Sequence, residues 1–340
     1  LDTGLTNLSY LITRYRDEWV KFVARMVKDG IANAEEINRM RNLRLGDALG
    51  LVNPKLEWEI RLWTSFRFQP FVRTLRGLIH YVQVLRLYAQ IDHPEWSKDK
   101  ISEEVNKKFQ LLWAHQGYGD HVANRDPKAA ETILLAKYYY DNYGYLIDMA
   151  YLQKRADGIW HSVLARLNPA TGNIGDIYAL KLTEDFPIVS EGKPGNQANS
   201  RRFARGEIIM VIDVNQDFYI EQTLKIPHLL TLFNKDVAAV GYPEDIFTDT
   251  YSWISKFHAI ADRTFVTAVQ RVLTLLGVRF HYGHPDVWRA SYIDRAGGTS
   301  DSYPVNEDIF AGYKAALRAE QIIFVEWIEA GKAREVSWGT

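Results

Sequence analysis

Cysteine is absent from the 340 residues. That absence excludes disulfide frameworks, thiol nucleophiles and Cys-ligated zinc together. Long apolar runs are missing as well. No segment approaches the roughly 20 apolar residues that a membrane-spanning helix needs, and the best runs, Ile208–Val214 and Ile322–Val325, have strand length. No N-terminal stretch has the charged-then-apolar form of a secretory signal. Neither sign of charge dominates: 41 Lys and Arg stand against 42 Asp and Glu, for a formal net charge of −1. No global field therefore recruits nucleic acid or an anionic surface. What the chain holds in quantity is apolar and aromatic material, 47% hydrophobic residues with 10 Trp, 19 Tyr and 15 Phe. A chain of this length buries a substantial core without covalent staples, in one large domain or two. It opens at Leu1 rather than Met, which reads as a processed product or an excised piece.

The first half reads as helical. From Tyr10 to Met26, the residues Leu11, Tyr15, Trp19, Phe22, Val23 and Met26 fall mostly three or four apart, an amphipathic stripe. Leu56 to Tyr88 continues in the same style, but Pro70 interrupts it and predicts two helices or a kink. Arg61, Arg67, Arg73, Arg76 and Arg86 in that run read as a solvated face with buried stems. Phe109–Trp113 and Ala129–Met149 are also expected to be helical. After Arg155 the pattern changes. Ile159–Leu167 and Ile177–Leu182 read as strands joined through Asn168-Pro169 and Thr171-Gly172-Asn173. A Gly/Pro-rich loop over Ser190–Gln197 follows, then Gly206–Asp213, an apolar run closed by an acid, the pattern of a buried strand ending at a site. Asp217–Phe233 reads as helix limited by Pro227, Val237–Gly241 as strand and Thr250–Leu276 as helix. Strand and helix in alternation argue for an α/β fold. The expected organisation is a mainly helical part over residues 1–150 and a core over 151–340.

Five segments carry candidate chemistry. Gly192-Lys193 invites a phosphate-loop reading, but Pro187 stands where that motif needs glycine and no Ser or Thr follows Lys193, so the motif is rejected. Lys193 on a glycine loop still has the chemistry to approach a phosphate; the plain alternative is a surface loop. Asp213-Val214-Asn215-Gln216-Asp217 offers two carboxylates and an amide at the end of a strand, where open α/β sheets bind ligands. Its hard oxygens suit Mg²⁺ beside a diphosphate, and helix capping by Asp213 or Asn215 explains the same residues equally well. His281-Tyr282-Gly283-His284-Pro285-Asp286 lacks the helical spacing of zinc proteases and reads as ligand contact or polar packing before metal site. Asn306-Glu307-Asp308 opens the periodic run Ile309–Leu317, with Asn306 as cap and the acids favoured at the positive helix end. A general base on that first turn is compatible with both. Lys332 and Arg334, two apart, form by themselves an ordinary solvated patch.

Taken in order, these segments resemble one family. Gly192-Lys193, Asn196-Gln197, Arg205-Gly206-Glu207, Ile212 through Asp217 and Leu224-Lys225-Ile226 are followed by His281 through Asp286 and Asn306 through Gly312. This series is similar to the catalytic region of the 1,3-β-glucan synthases, glycosyltransferase family 48, which comprises fungal glucan synthases and plant callose synthases. Upstream, Arg61-Leu62-Trp63-Thr64-Ser65-Phe66-Arg67-Phe68-Gln69 resembles the family's Arg/Trp-rich segment. Departures stand at Ala198-Asn199 in place of Asn-His, at Arg295-Ala296-Gly297-Gly298, at Leu317-Arg318-Ala319-Glu320 in place of a Leu-Arg-Gly-Gly motif, and at Lys332-Ala333-Arg334-Glu335.

The resemblance implies an inverting, processive transfer of glucose from UDP-glucose to the 3-hydroxyl of a growing β-glucan. It implies a GT-A-like core, a mixed sheet flanked by helices, on the cytosolic face of the plasma membrane in a multi-pass protein whose spans lie outside these residues. Asp308, ahead of Glu307, is then the expected general base, with Lys332 and Arg334 on the leaving UDP and Asp213 at the donor. Lys193, Asn196 and Gln197 become diphosphate or uridine contacts, and Arg205, Asn215, Gln216, Asp217, His284 and Asp286 further donor-site residues. Mg²⁺ at Asp213 is the one metal implied, without being required. The partners implied are UDP-glucose, the glucan chain and a regulatory small GTPase, with no nucleic acid. The other reading is a glucan-synthase-like module that binds nucleotide sugar or a regulatory partner without transfer.

Overall fold

The computed structural model describes residues 7–39, 53–182, 193–213, 216–247, 249, 253–269, 271–272, 287–289 and 315–332. The chain divides into two compact units, Leu1–Arg73 and Thr74–Thr340, the division falling inside a long helix. Residue 150, where the composition changes, lies inside the second of them.

The first unit is helical, as its apolar stripe predicts. It holds α1 (Asn7–Arg14), α2 (Arg16–Lys28), α3 (Ala34–Arg39) and the start of α4 (Pro54–Asp92). Leu8, Leu11 and Ile12 of α1 meet Trp19, Phe22 and Met26 of α2, Ile37 of α3 and Leu56, Ile60 and Trp63 of α4 in one core. Trp19 and Trp63 pack edge to face with ring centroids 4.9 Å apart. Local chemistry sets each helix end. Gly30, at φ +64°, closes α2 while the Ile31 and Gly30 amides return to the Met26 and Val27 carbonyls, a Schellman stop. Asn33 and Glu36 exchange side-chain-to-backbone bonds of 2.8 and 3.0 Å, a capping box for α3. Asn53 caps α4 through the Lys55 amide and donates to the Ile31 carbonyl at 2.8 Å, which fixes the start of α4 against the end of α2.

Helix α4 runs from Pro54 to Asp92 with Pro70 inside it, so of the two expectations, two helices or a kink, the first is not met. A proline removes one backbone hydrogen bond, and upstream of it Leu56, Ile60 and Trp63 anchor the helix in the core of the first unit.

The second unit continues with α5 (Lys98–Lys108), β1 (Leu112–Ala114), α6 (Tyr118–Ala123), α7 (Pro127–Tyr143), β2 (Asp148–Lys154), β3 (Trp160–Asn168), β4 (Asn173–Lys181) and α8 (Lys193–Ser200). The strands form a first sheet in the order β1-β2-β3-β4, with β1 parallel to β2 and the rest antiparallel. The β3–β4 hairpin turns where the sequence predicts it, with Gly172 at φ +69°. Phe109–Trp113, expected as helix, instead ends in β1, because pairing with β2 decides so short a segment. The helix expected to reach Met149 stops at Tyr143, where Gly144 adopts φ +62°. Tyr118, Met149, Tyr151, Val163 and Ala165 form the core beneath α6. Gly119 is required there: a Cβ would collide with the Leu152 carbonyl.

The remaining strands are β5 (Ile208–Met210), β6 (Gln216–Asp217), β7 (Val237–Gly241), β8 (Glu244–Ile246), β9 (Val287–Arg289), β10 (Gln321–Phe324) and β11 (Ala330–Lys332). Two short helices, α9 (Ile220–Thr223) and α10 (Ile226–Leu229), and the longer α11 (Trp253–Arg263) lie among them. A second sheet has the order β10-β7-β9-β5 and a third the order β6-β11-β8. In the second, β7 is buried throughout and parallel to β10, so the all-apolar reading of Val237–Gly241 holds. Gly206–Asp213 fares differently. Only Ile208–Met210 is strand, and it sits at the sheet edge, half-buried. Asp217–Phe233 is not one helix but β6, α9, α10 and a 3₁₀ turn. Besides Pro227, two anchors from α4 break it up: His80 Nδ1 lies 2.7 Å from the Phe218 carbonyl, and the Tyr88 hydroxyl donates to the Leu224 carbonyl at 2.8 Å. The Ser190–Gln197 loop is helical from Lys193. The whole is a mixed α/β architecture, as the alternation of elements predicts.

Among the half-buried titratable groups, His115 follows β1 and sits against Trp113, Tyr118 and His121, with Nε2 2.9 Å from the Thr132 hydroxyl. Burial holds its imidazole below the usual histidine range. A His with a lowered folded-state pKa adds stability above its unfolded value, about 6.5, and loses it as pH falls through the folded one. The urea midpoint is therefore expected to drop between about pH 7.5 and 5.5, and His115→Gln to flatten that slope. An unchanged slope in the variant would exclude His115 as its source.

Candidate functional site

Two chain segments pair twice, and the site follows from that. Strand β7 runs on through Tyr242-Pro243 into β8, and β10 runs on into β11; β7 is parallel to β10, and β8 to β11. Between the two ladders, the Val325 amide donates to the Gly241 carbonyl at 2.9 Å and the Ala330 amide to the Pro243 carbonyl at 3.1 Å. The second pairing sets Ala330 beside Glu244 and Lys332 beside Ile246, while β6 closes antiparallel on the other side with Gln216 opposite Lys332. Gly331 lets this three-strand packing close, since a Cβ would stand 3.1 Å from the Phe247 ring.

The result is a buried polar chain. Lys332 Nζ donates to both carboxylate oxygens of Glu244, at 3.0 and 3.1 Å, and the two side chains are 4% and 1% exposed. The Gln216 amide donates to Glu244 Oε1, and its own carbonyl accepts from the Asp213 backbone N–H at 2.7 Å. Asp213 is half-buried beside them. Burial pushes the Glu244 carboxyl up from the usual range and the Asp213 charge adds to this, against the opposing pull of Lys332 and Gln216. Taking two ions out of water costs several kcal/mol each, and removing one partner of such a pair costs about 3–5 kcal/mol. Lys332 is thus no solvated cation.

Three residues that the sequence picked out, Asp213, Gln216 and Lys332, come together here, with Asp217 buried on β6 beside them. Glu244 was missed. Its signal is a looser form of the one that marked Asp213, an acid separated by two residues from an apolar strand, here Val237–Gly241 followed by Tyr242-Pro243-Glu244.

A second group is built on β1 and β2, against which α8 packs. Asn196, Asn199 and Ser200 are buried and Gln197 is half-buried; the Ser200 hydroxyl donates to the Gln197 carbonyl at 2.7 Å. Lys193 is the first residue of α8. Neither end of the Asn199 amide meets a hydrogen-bond partner among the described residues. Arg205 makes contacts of its own: its backbone N–H donates to Gln110 Oε1 at 3.0 Å and its guanidinium to the Asn106 carbonyl at 3.3 Å. Gln110 in turn donates to Asp148 at 2.7 Å, and Arg166 Nε donates to Asp148 at 2.6 Å. Glu307, Asp308, Arg334, Asn215, His284 and Asp286 lie outside the described residues.

Of the oxygens expected around Mg²⁺, Asp217 is buried on β6 and Asn215 lies outside the described residues. Asp213 brings one carboxylate, while the nearby Glu244 has both oxygens committed to Lys332 and one also to Gln216. Among the described residues no three His, Asp or Glu converge as metal ligands do.

The family model for the 1,3-beta-glucan synthase component matches residues 2–340. The chain belongs to the 1,3-β-glucan synthase family. Relatives include callose synthase 4 of Arabidopsis thaliana, 35% identical over 376 aligned positions covering 98% of this chain and 19% of the relative. Callose synthase 9 of the same plant is 32% identical, covering 98% and 18%, and callose synthase 12 is 30% identical, covering 98% and 21%. The chain therefore spans about a fifth of the length of the relatives it matches.

Within this member of the family, the residue at Ala319 has a structural meaning. Ala319 adopts φ +59°, and the Glu320 and Ala319 amides return to the Ala315 and Ala316 carbonyls. This is a Schellman stop, where glycine carries no Cβ penalty and alanine does. Glycine is thus called for by the backbone, and alanine in its place stores strain. Ala319→Gly is expected to stabilise the chain by about 1 kcal/mol, read as a higher Tm; a lower Tm would show that the turn does not hold this conformation.

Proposed function

We propose that this chain forms part of the catalytic region of a 1,3-β-glucan synthase that moves glucose, with inversion, from UDP-glucose to the 3-hydroxyl of a growing glucan. The observation that carries the reading is the Asp213–Gln216–Glu244–Lys332 chain. It joins the backbone of a half-buried acid to a buried cation across 119 residues of sequence, in a chain whose family model describes a glucan synthase.

Inversion is one in-line displacement. The acceptor oxygen bonds to the anomeric carbon as the bond from that carbon to the diphosphate oxygen breaks, and the acceptor proton passes to a carboxylate. Asp308, with Glu307 beside it, is the proposed base. The departing UDP gains negative charge, for which positive groups held in a fixed place need no reorganisation during reaction. Lys332 supplies one such group, with Arg334 and Lys193 as further cations. Asp213 is proposed to lie at the donor sugar, and Asn196 and Gln197 of α8 to contact diphosphate or uridine; Arg205, Asn215, Gln216, Asp217, His284 and Asp286 complete the proposed donor surroundings. The buried β7 and its neighbours would serve as the GT-A-like sheet. No helix among the described residues is long and apolar enough to cross a membrane, so placement at the cytosolic face of the plasma membrane would depend on spans elsewhere in the protein.

The test is made on the full-length protein with radiolabelled UDP-glucose. Labelled polymer that a 1,3-β-specific glucanase degrades is the expected product, and Asp308→Asn is expected to reduce its formation by about 10²–10⁴-fold. UDP binding without any polymer would overturn the transfer reading, and polymer resistant to that enzyme would overturn the linkage. Undiminished yield from Asp308→Asn would remove that residue from the role of base.

A further inference from the structure

The geometry points to Glu244 as a positioning residue of the transfer site, one that holds the Lys332 ammonium and, through Gln216, the Asp213 backbone in a single arrangement. This rests on the reading of Lys332 and Asp213 given above and adds the residue that connects them. Both Glu244 oxygens accept from Lys332, at 3.0 and 3.1 Å, and Oε1 also accepts from Gln216. Gln216 has its remaining side-chain acceptor on the Asp213 amide at 2.7 Å. The four residues come from three separate stretches of chain, and Glu244 is the one that touches both of the others' side chains.

A purely structural role explains this arrangement badly. A buried ion pair stabilises no better than apolar side chains of similar volume, and apolar neighbours abound: Ile246, Ile328 and Ala330 are buried on the same strands or just before them. Glu244 also feels the negative charge of Asp213, which opposes its own ionisation. Stability alone gives no reason to place a second acid there. The arrangement is accounted for if the position of the ammonium matters. A carboxylate gripping Lys332 from both oxygens removes the freedom of a four-carbon side chain, and a cation already fixed where charge develops acts on the transition state without reorganising. The same carboxylate tempers the attraction of Lys332 for a bound diphosphate, so that UDP is not held too tightly before or after transfer.

The experiment is steady-state kinetics and UDP titration on the full-length protein, comparing wild type, Glu244→Gln, Glu244→Asp and Lys332→Met. Glu244→Gln keeps the shape and removes the charge. Its kcat is expected to fall by about tenfold or more while KM for UDP-glucose stays within about threefold or decreases, and UDP is expected to inhibit more strongly. Glu244→Asp restores the charge on a shorter arm and is expected to recover part of kcat and return UDP inhibition toward wild type. Combined with Lys332→Met, Glu244→Gln is expected to have no further effect on UDP affinity, since its action runs through that lysine.

If Glu244→Gln lowers only the amount of folded protein, with kcat per folded molecule, KM and UDP inhibition as in wild type, the role is structural and the proposal falls. Should Glu244→Gln not fold, Glu244→Asp carries the same decision: a shifted kcat at unchanged KM supports positioning, and wild-type constants overturn it. A wild type that makes no glucan from UDP-glucose sinks the functional reading itself. Loss of transfer in Lys332→Met with Glu244→Gln like wild type sinks this inference alone.

Discussion

Everything around the candidate site depends on the parallel pairing of one two-strand segment with another. Val237–Ile246 and Gln321–Lys332 lie side by side first as β7 and β10 and again as β8 and β11. In the first pairing β7 is apolar and buried throughout and β10 is half-buried after an exposed Gln321, and this burial provides the driving force. The second is polar, and it is tolerable only because the first has already fixed the register. Glu244 and Lys332 then face each other within hydrogen-bond range, so each satisfies the charge that burial would otherwise leave exposed to a low dielectric. A slip of one residue would turn Lys332 to the opposite face of the sheet.

The first sheet solves a different problem. Its polar junction is Asp148, which takes Arg166 from β3 and Gln110 from the end of α5, while Gln110 also accepts from the Arg205 backbone. The segment leaving α8 is thereby tied to the corner between α5 and β1. This gives α8 a fixed seat on β1 and β2 even though its sequence, Lys-Pro-Gly-Asn-Gln-Ala-Asn-Ser, has little helix preference of its own.

Much of this was legible in the residues. The run Val237–Gly241 gave its strand directly because it is unbroken and apolar, and the stripe from Leu11 to Met26 gave helix but not the break at Tyr15 between α1 and α2. Gly172 and Asn168 marked their hairpin for the same local reason. Misreadings cluster where neighbours override local preference. Pro70 reads as a break but lies within α4; Pro194 reads as loop but stands at the second position of α8, where proline fits a helix. Leu112–Ala114 is strand only because β2 lies alongside. The family resemblance that the Asp213 segment helped to carry was correct. Glu244 was not legible as the partner of Lys332, although a looser acid-after-strand pattern was there to be read.

The sequence by itself determined the mixed α/β class, the absence of thiol chemistry, the near-balance of charge and the family. Those properties sit in composition, periodicity and ordered motifs, which need no third dimension. Only the tertiary structure decided that Lys332 is buried rather than solvated, that its counter-ion is Glu244, and that Gln216 links this pair to Asp213. The reason is physical. The partner of a buried charge is chosen by strand register and by the cost of leaving that charge unpaired, and neither is written in the residues immediately around it.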